Sequence, residues 1–534
     1  MRYLSQLDLG AEIVHGDNTS LYELIESKQW EMEEIITLAQ GDGGPDSAES
    51  NDGFGLFYVA SEDRMLAMDS KDPGYIHLNN YFESLGSLSP SVKRENRLAS
   101  MSETSKSNSS TSELSATGAP ASPASRSSSS DECASDSLAL GRKGSRSFLD
   151  GLLEAGVKEP MLGIARAGYA NTVGAALEDT GLGGVCYCES EWDVDGDRTF
   201  IVKGGLGLVV DELASGIRSC IQTSWPAAKV DYGTPGRVLV TCEDGRTEQG
   251  THLVSTLPLS VMQDGDVEFS PPLPETNMRA LNKMGMCSVS KVILKFDQQV
   301  LPPLLHGCIS SDSFIPEFWF SPLVATPENC SSRSCSASTR CGNTRPLCRH
   351  LPNTPEGGYT VLAVGFAAGP PADAISALPQ EEALQKALQQ LDTMFGGRDW
   401  LVDCGGCTGK GDWENHKSSA QTTSRQADDD NSTSNCELKW KHSGRNDQDV
   451  VGAARKQTVV PGMLPSDCYG GGLVHSWADE RFVRGGYCYP RLDFDENTFA
   501  DAASSVENRL FFAGEHTNIP MGGSLHAAMD SGDR

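Results

Sequence analysis

Positive charge, aromatic side chains and long apolar runs are all scarce in this 534-residue chain. Lys and Arg number 43 against 73 Asp and Glu, a formal net charge of -30. That excess argues against a nucleic-acid backbone or an anionic membrane surface as a partner, because both repel it. It suits a cationic small molecule instead. No apolar stretch approaches the roughly 20 residues that cross a bilayer. The opening Met1-Arg2-Tyr3-Leu4-Ser5-Gln6-Leu7 lacks the apolar centre of a secretion signal. Hydrophobic residues make up only 38%, so two or three folded units diluted by polar insertions are expected at this length. The 16 cysteines lack the density of a secreted disulfide scaffold, and reduced thiols in an intracellular compartment are the expectation. Zinc-type spacing is nearly absent. Cys330, Cys335, Cys341, Cys348 and His350 are spread through a polar loop, and only Cys404–Cys407, with Cys436 and Cys468 beyond, offers a short pair. These read as unliganded loop thiols, with no metal.

The polar insertions can be placed. Residues 87–146 are dominated by Ser, Ala, Thr and Gly, and cannot bury enough apolar surface to offset their ordering entropy; disorder is expected there. Stretches 327–355 and 405–446 read as polar loops. Between them the pattern is that of a mixed α/β (α+β) enzyme. Pro379 to Phe395 predicts a helix with Leu384, Leu388, Leu391 and Phe395 on one face and Gly396-Gly397 ending it. Tyr359 to Phe366 predicts a buried strand. Val238 to Cys242 and His252 to Thr256 predict strands flanking the turn Glu243-Asp244-Gly245.

The carboxyl end carries the most chemistry. Arg509-Leu510-Phe511-Phe512-Ala513-Gly514-Glu515-His516-Thr517 is an apolar strand running into a glycine and an acid. Met521-Gly522-Gly523-Ser524-Leu525-His526 then opens a helix, with Ser524 as N-cap. A strand, a tight turn and a helix start offer backbone N–H groups and a helix dipole to an anion.

These residues resemble the carboxyl-terminal FAD motif of the flavin amine oxidases, the family of polyamine oxidases, monoamine oxidases and flavin histone demethylases. Other segments resemble the same family in the same order. Asp8-Leu9-Gly10-Ala11, closing on His15-Gly16, is similar to its "DLGA-x-x-x-HG" stretch. Lys203-Gly204-Gly205 and the helix through Leu206, Val209, Val210, Leu213 and Ile217 are similar to its glycine turn. Thr256-Leu257-Pro258, then Phe269-Ser270-Pro271-Pro272-Leu273-Pro274, resembles its crossover, and Ser290-Lys291-Val292 follows at the family's interval. The resemblance implies FAD as cofactor, a small-molecule amine as substrate and oxygen as oxidant, with neither nucleic acid nor membrane as partner. It implies hydride transfer from the carbon beside an amine nitrogen, then imine hydrolysis and hydrogen peroxide formation. Lys291 is the implied catalytic cation, which holds a water at the flavin and aids reoxidation. His15 is a second catalytic candidate, and its "HG" favours the polyamine oxidases. Glu515, Gly514, Ser524, Leu525, Ala227, Gly10 and Ala11 are the implied cofactor contacts. Tyr487 and Tyr489, in Arg484-Gly485-Gly486-Tyr487-Cys488-Tyr489, are implied substrate aromatics, and Met521 stands where many relatives carry another aromatic.

One expected element is missing. A Rossmann-like FAD/NAD(P)-binding domain needs a G-x-G-x-x-G loop, and that spacing occurs nowhere in the 534 residues. The expectation is a Rossmann-like domain, incomplete at its amino end, built from residues 1–20, 196–260 and 498–534. An interleaved substrate domain would comprise residues 21–86, 147–195 and 261–497. Two alternatives follow: an inactive relative acting only as a binding protein, and another flavin oxidase or desaturase of the same superfamily. A histone demethylase fits less well, because no long helical hairpin is visible in the sequence.

Overall fold

The structure, a computed structural model, describes residues 8–35, 54–67, 70–86, 146–192, 194, 198–296, 301, 305–323, 360–396, 399–404, 436–441, 452–453, 464–518 and 522–533. Its largest element is a seven-stranded sheet, in spatial order Tyr469–Ser476, Val289–Phe296, Thr360–Ala368, Glu317–Leu323, Leu305–Ser310, Phe54–Val59 and Arg64–Ala67. Neighbours are antiparallel, apart from the parallel pairing of Leu305–Ser310 with Phe54–Val59.

Nearly every residue of Val289–Phe296 is buried, so this sheet is covered on both faces and its strands read as continuous apolar runs. Alternation still sorts the side chains. Val292, Leu294, Phe296, Phe318, Phe320, Val361 and Ala363 pack against Leu384, Leu391 and Phe395 of the helix Gln380–Phe395. That helix begins directly after Pro379 and ends at Gly396, with Leu388 half-buried on the same core. Lys291, Ile293, Glu317, Trp319, Leu362, Val364 and Phe366 hold the intervening positions and so take the opposite face.

A second region carries the cofactor-type segments. Ile13–His15, Thr199–Val202 and Met32–Ile35 form an antiparallel sheet with Thr199–Val202 in the middle. The helix Ser20–Ser27 covers it, started by Thr19, whose Oγ1 accepts the Tyr22 N–H at 3.2 Å. Val14, Leu21, Ile25, Phe200, Val202, Leu206 and Val209 make the core between them.

One pairing differs from the sequence reading. Val238–Cys242 closes its hairpin with Thr247–Gly250, not with the strand centred on Val254. Thr247-Glu248-Gln249-Gly250 is exposed throughout and has no apolar alternation to mark it as a strand. Leu253–Ser255 leaves that sheet and runs parallel to Leu510–Phe512. The register partners Val254 and Phe511 are 60% and 38% exposed. The helix Gly207–Ser215 buries Val209 but leaves Val210 and Leu213 outward, and Ile217 and Ile221 beyond it are exposed as well.

Of the polar stretches 87–146, 327–355 and 405–446, only Arg146 and the strand Cys436–Lys441 fall among the described residues; that strand pairs with Asp399–Cys404. The loop cysteines 330, 335, 341, 348 and 407 and His350 lie outside them. Among the described residues no helix is long and apolar enough to cross a membrane.

Candidate active site

Lys291 sits mid-strand and is only 2% exposed, so it is not a solvated strand lysine. Burying an ammonium demands partners. Its Nζ donates to Glu12 Oε2 at 2.8 Å and to the Asp8 carbonyl at 2.9 Å, and it lies 5.6 Å from the Trp319 ring centroid. The segment 8–12 is itself pinned. The Asp8 carboxylate accepts the Leu206 N–H at 2.9 Å, just past the glycine turn, where a Cβ on Gly205 would come within 2.9 Å of Asp8 Oδ1. Burial raises the Asp8 carboxyl, opposed by the Leu206 N–H. The Trp477 Nε1 donates to the Leu9 carbonyl at 2.8 Å, and its ring lies 3.2 Å from where a Gly10 Cβ would stand. Ala11 is exposed on the same loop.

His15 meets the carboxyl-terminal helix. Its backbone N–H donates to His526 Nε2 at 3.3 Å, which requires that nitrogen to be unprotonated. Burial lowers both imidazoles, His526 to about 4, so both are neutral near pH 7. Trp192 closes the edge of the His15 ring at 6.1 Å.

The glycine turn at the carboxyl end is held by its own hydroxyls. The Gly514 N–H donates to Ser531 Oγ at 2.8 Å, and Ser524 Oγ accepts the Ala527 N–H at 3.1 Å, capping the helix Leu525–Asp533. The half-buried Leu525 side chain packs onto the Val14 core. Glu515 Oε2 accepts the Cys488 N–H at 3.2 Å. Burial raises its carboxyl, against N–H groups of Cys488 and Gly523 that lower it. The turn fits a flavin on structural grounds. It follows the carboxyl ends of two parallel strands, where α/β sheets bind ligands. Gly514 at φ 142° and Gly523 at φ 82° hold it in backbone shapes that side chains rarely allow. Among the described residues, Ser255 Oγ and Asn518 Oδ1 are buried there without a hydrogen-bond partner. Ala227 stands apart, opposite Cys242 in the four-stranded sheet, its side chain on that sheet's core. Met521 lies outside the described residues.

The aromatic wall adjoins this turn. A Cβ on Gly523 would lie 3.4 Å from the Tyr487 ring, and the Tyr487 hydroxyl donates to the Thr172 carbonyl at 2.7 Å. That carbonyl follows the π-helical turn Arg166–Ala170, the kind of irregularity that releases backbone acceptors. Burial pushes the Tyr487 phenol well above its ordinary range. Tyr487, Tyr489, Trp477 and Phe366 pack around Cys287, Val289 and Ala368, and Trp319 stacks on Phe366 at 5.3 Å. Tyr489 is paired with Gly285, where a Cβ would fall 2.1 Å from its ring. Gly285→Val therefore has to expel the Tyr489 ring; a loss of about 3 kcal/mol is expected, measured by denaturant unfolding. Gly183→Ala, in the helix Leu182–Glu191 with no atom within 4 Å of the added Cβ, is the control and should be neutral or stabilising by up to about 1 kcal/mol.

The family model described as flavin containing amine oxidoreductase matches residues 6–434 and 453–534. The chain belongs to that family. Similar proteins include the mouse (Mus musculus) lysine-specific histone demethylase 1B, 34% identical over 112 residues, which is 21% of this chain and 13% of that one. Polyamine oxidase 2 of Arabidopsis thaliana is 32% identical over 126 residues, 22% of this chain and 25% of its own. These aligned stretches thus span a quarter or less of the relatives' length. Among solved structures, cyclohexylamine oxidase from Brevibacterium oxydans IH-35A superposes with a TM-score of 0.57 at 14% identity, over 98% of this chain and 86% of that one. Putrescine oxidase bound to putrescine gives 0.59 at 11% identity, over 99% and 87%. At those identities the likeness is one of fold, and it is the α/β flavin amine oxidoreductase fold expected from the sequence.

Three residues of the site escaped the sequence reading. Glu12 is the Lys291 partner from 279 positions away. Glu317, 9% exposed, accepts the Trp319 Nε1–H at 2.8 Å and an Asn171 Nδ2–H at 3.4 Å. Burial pushes its carboxyl up to about 7. Asn171, 2% exposed, also accepts the Ala368 N–H through Oδ1. The one local signal was an acid inside the aromatic run Phe314-Ile315-Pro316-Glu317-Phe318-Trp319-Phe320.

Proposed function

We propose that this flavin amine oxidoreductase oxidises a polyamine-like amine at the carbon beside nitrogen. The products are an imine, hydrolysed to an aldehyde, and hydrogen peroxide from oxygen. The observation that carries this reading is the direct contact between the carboxyl-terminal glycine turn and the aromatic wall. Gly523 lies against Tyr487, and Glu515 holds the Cys488 N–H between the two tyrosines. FAD, when bound, supplies the hydride acceptor. Glu515, Gly514, Ser524, the Leu525 backbone, Gly10 and Ala11 are the residues that would hold it. Tyr487 and Tyr489 confine the amine, and the apolar wall excludes water from the reacting carbon. Lys291 supplies a fixed cation for the charge that develops as oxygen is reduced, and Glu12 and the Asp8 carbonyl hold that ammonium in place. The divided architecture, with residues 1–20, 196–260 and 498–534 on the cofactor side, is part of the same proposal. The names of the relatives, polyamine and putrescine oxidases among them, support an amine as substrate.

The test is anaerobic mixing of FAD-loaded protein with monoamines, diamines and polyamines while the flavin absorbance is followed. Bleaching by an amine, with aldehyde recovered, is the expected result. Flavin that stays oxidised with every amine, while the protein still binds amines, overturns it in favour of a binding protein.

A further inference from the structure

The strand Tyr469–Ser476 ends the seven-stranded sheet beside Val289–Phe296, and its register sets His475 directly opposite Lys291. Paired residues on antiparallel strands share a face, with Cβ atoms about 5 Å apart, so the imidazole stands next to the buried ammonium. The two side chains differ in their access to water: Lys291 is 2% exposed and His475 20%. The imidazole is held edge-on against the Trp477 ring, with centroids 4.9 Å apart at 88°. That indole is the one bonded to the Leu9 carbonyl, in the segment that supplies both Lys291 acceptors. Yet His475 Nε2 is buried with no hydrogen-bond partner among the described residues. The exposed carboxylate of Glu480, at 3.9 Å, is too distant to be one. Leaving a buried ring nitrogen unmatched costs stability, and such groups gather where catalysis or a bound small molecule accounts for them.

Oxygen reduction supplies a use for this nitrogen. When O2 takes the two electrons and the hydrogen carried by reduced FAD it becomes HOO−, which needs one more proton to leave as H2O2. Lys291 is a poor source of that proton. Two of its three N–H groups are committed to Glu12 and Asp8, and surrendering a proton would leave Glu12 as an unpaired carboxylate. Histidine is the side chain suited to exchanging a proton near neutral pH. An imidazolium is tolerated beside Lys291, because Glu12 already balances that ammonium and Glu480 stands on the far side of the ring nitrogen. We propose that His475 relays the proton that completes oxygen reduction. Its Nε2–H bond breaks as the new O–H bond of H2O2 forms, and the ring takes a fresh proton from solvent past Glu480. Lys291 keeps its charge throughout. This rests on the reading of Lys291 as the cation that serves oxygen reduction.

The experiment compares wild type, His475→Ala, His475→Phe and Lys291→Met, each loaded with FAD. The flavin is reduced photochemically, so that the outcome does not depend on which amine is the substrate, and is then mixed with oxygen in a stopped-flow instrument. His475→Phe keeps an aromatic edge on Trp477 but carries no exchangeable ring proton. Both His475 variants are expected to react with oxygen more slowly on the order of a hundredfold, the scale of general acid catalysis. Added imidazole should restore much of the lost rate in His475→Ala, in proportion to its concentration. A second readout needs no turnover: in the resting protein the 15N signal of His475 Nε2 is expected to shift in Lys291→Met, because the two groups share one face of the sheet. A wild-type rate in His475→Phe assigns the imidazole to packing on Trp477 and overturns the relay. So does failure of imidazole to rescue His475→Ala, or an Nε2 signal unmoved in Lys291→Met. If Lys291→Met reacts with oxygen at the wild-type rate while imidazole still rescues His475→Ala, the role given to Lys291 fails and the relay stands.

Discussion

Replacing Lys291 by methionine is expected to slow oxidation of the reduced, FAD-loaded protein by oxygen on the order of a hundredfold, while anaerobic reduction by an amine changes little. Losing one preorganised electrostatic contact raises a transition state by about 3–4 kcal/mol, and hydride loss from a neutral amine does not need that cation. The structure adds a second consequence. Lys291→Met leaves Glu12 without its ion-pair partner in a site where the lysine is 2% and Glu12 17% exposed. Breaking one side of a buried pair costs about 3–5 kcal/mol, and the lower figure is expected because Glu12 keeps some contact with water. Lys291→Met combined with Glu12→Leu should recover most of the stability and none of the oxygen reactivity. Stopped-flow measurement of the two half-reactions and denaturant unfolding of the three proteins test this. If Lys291→Met behaves like Lys295→Met in both half-reactions, the role assigned to Lys291 is wrong.

Acid is expected to destabilise this protein already above the ordinary carboxylate range. Burial depresses His516 and His526 to about 4 from the ordinary 6.5. A depressed folded-state value means that each ring's contribution is complete above pH 6.5 and falls away as pH drops toward 4. Each forfeits about 3 kcal/mol over that span. Glu317 works the other way. Its carboxyl, raised to about 7, takes up a proton in the folded state first, so it adds about 3 kcal/mol as pH falls from 7 to 4.5. The net expectation is a loss of about 3 kcal/mol between pH 6.5 and 4.5, read from denaturant midpoints. Glu317→Gln should roughly double that loss, and His526→Gln should remove most of what remains in wild type. A midpoint flat across this range in wild type and both variants contradicts the buried neutral imidazoles.

What the sequence made legible was local. The run into Gly514 and Glu515, the Ser524 cap, the helix ending at Gly396 and the strand around Lys291 all have neighbours in sequence that announce them. What it hid was long-range register. Glu12 and Lys291 meet because the segment after Asp8 is tied to Leu206, just past the glycine turn, and to Trp477, and no spacing rule links positions 279 apart. Glu317 meets Asn171 across 146 positions, which depends on which elements become neighbours. The misplaced hairpin at Val238–Cys242 has the opposite cause. Its true partner is polar and exposed, so the apolar strand beyond it attracted the assignment.

The outward face of the parallel pair has a colloidal consequence. Parallel strands normally lie beneath helices, yet Val254 and Phe511 face solvent beside a chain that also shows Val210, Leu213, Ile217 and Ile221. In dilute buffer the net charge of -30 keeps molecules apart before these patches can meet. At about 1 M salt the screening length shrinks to about 3 Å, and the repulsion no longer reaches across the gap between two surfaces. The acidic composition noted first as a hint about substrate thus also acts as a dispersant, and the chain is best kept at low ionic strength.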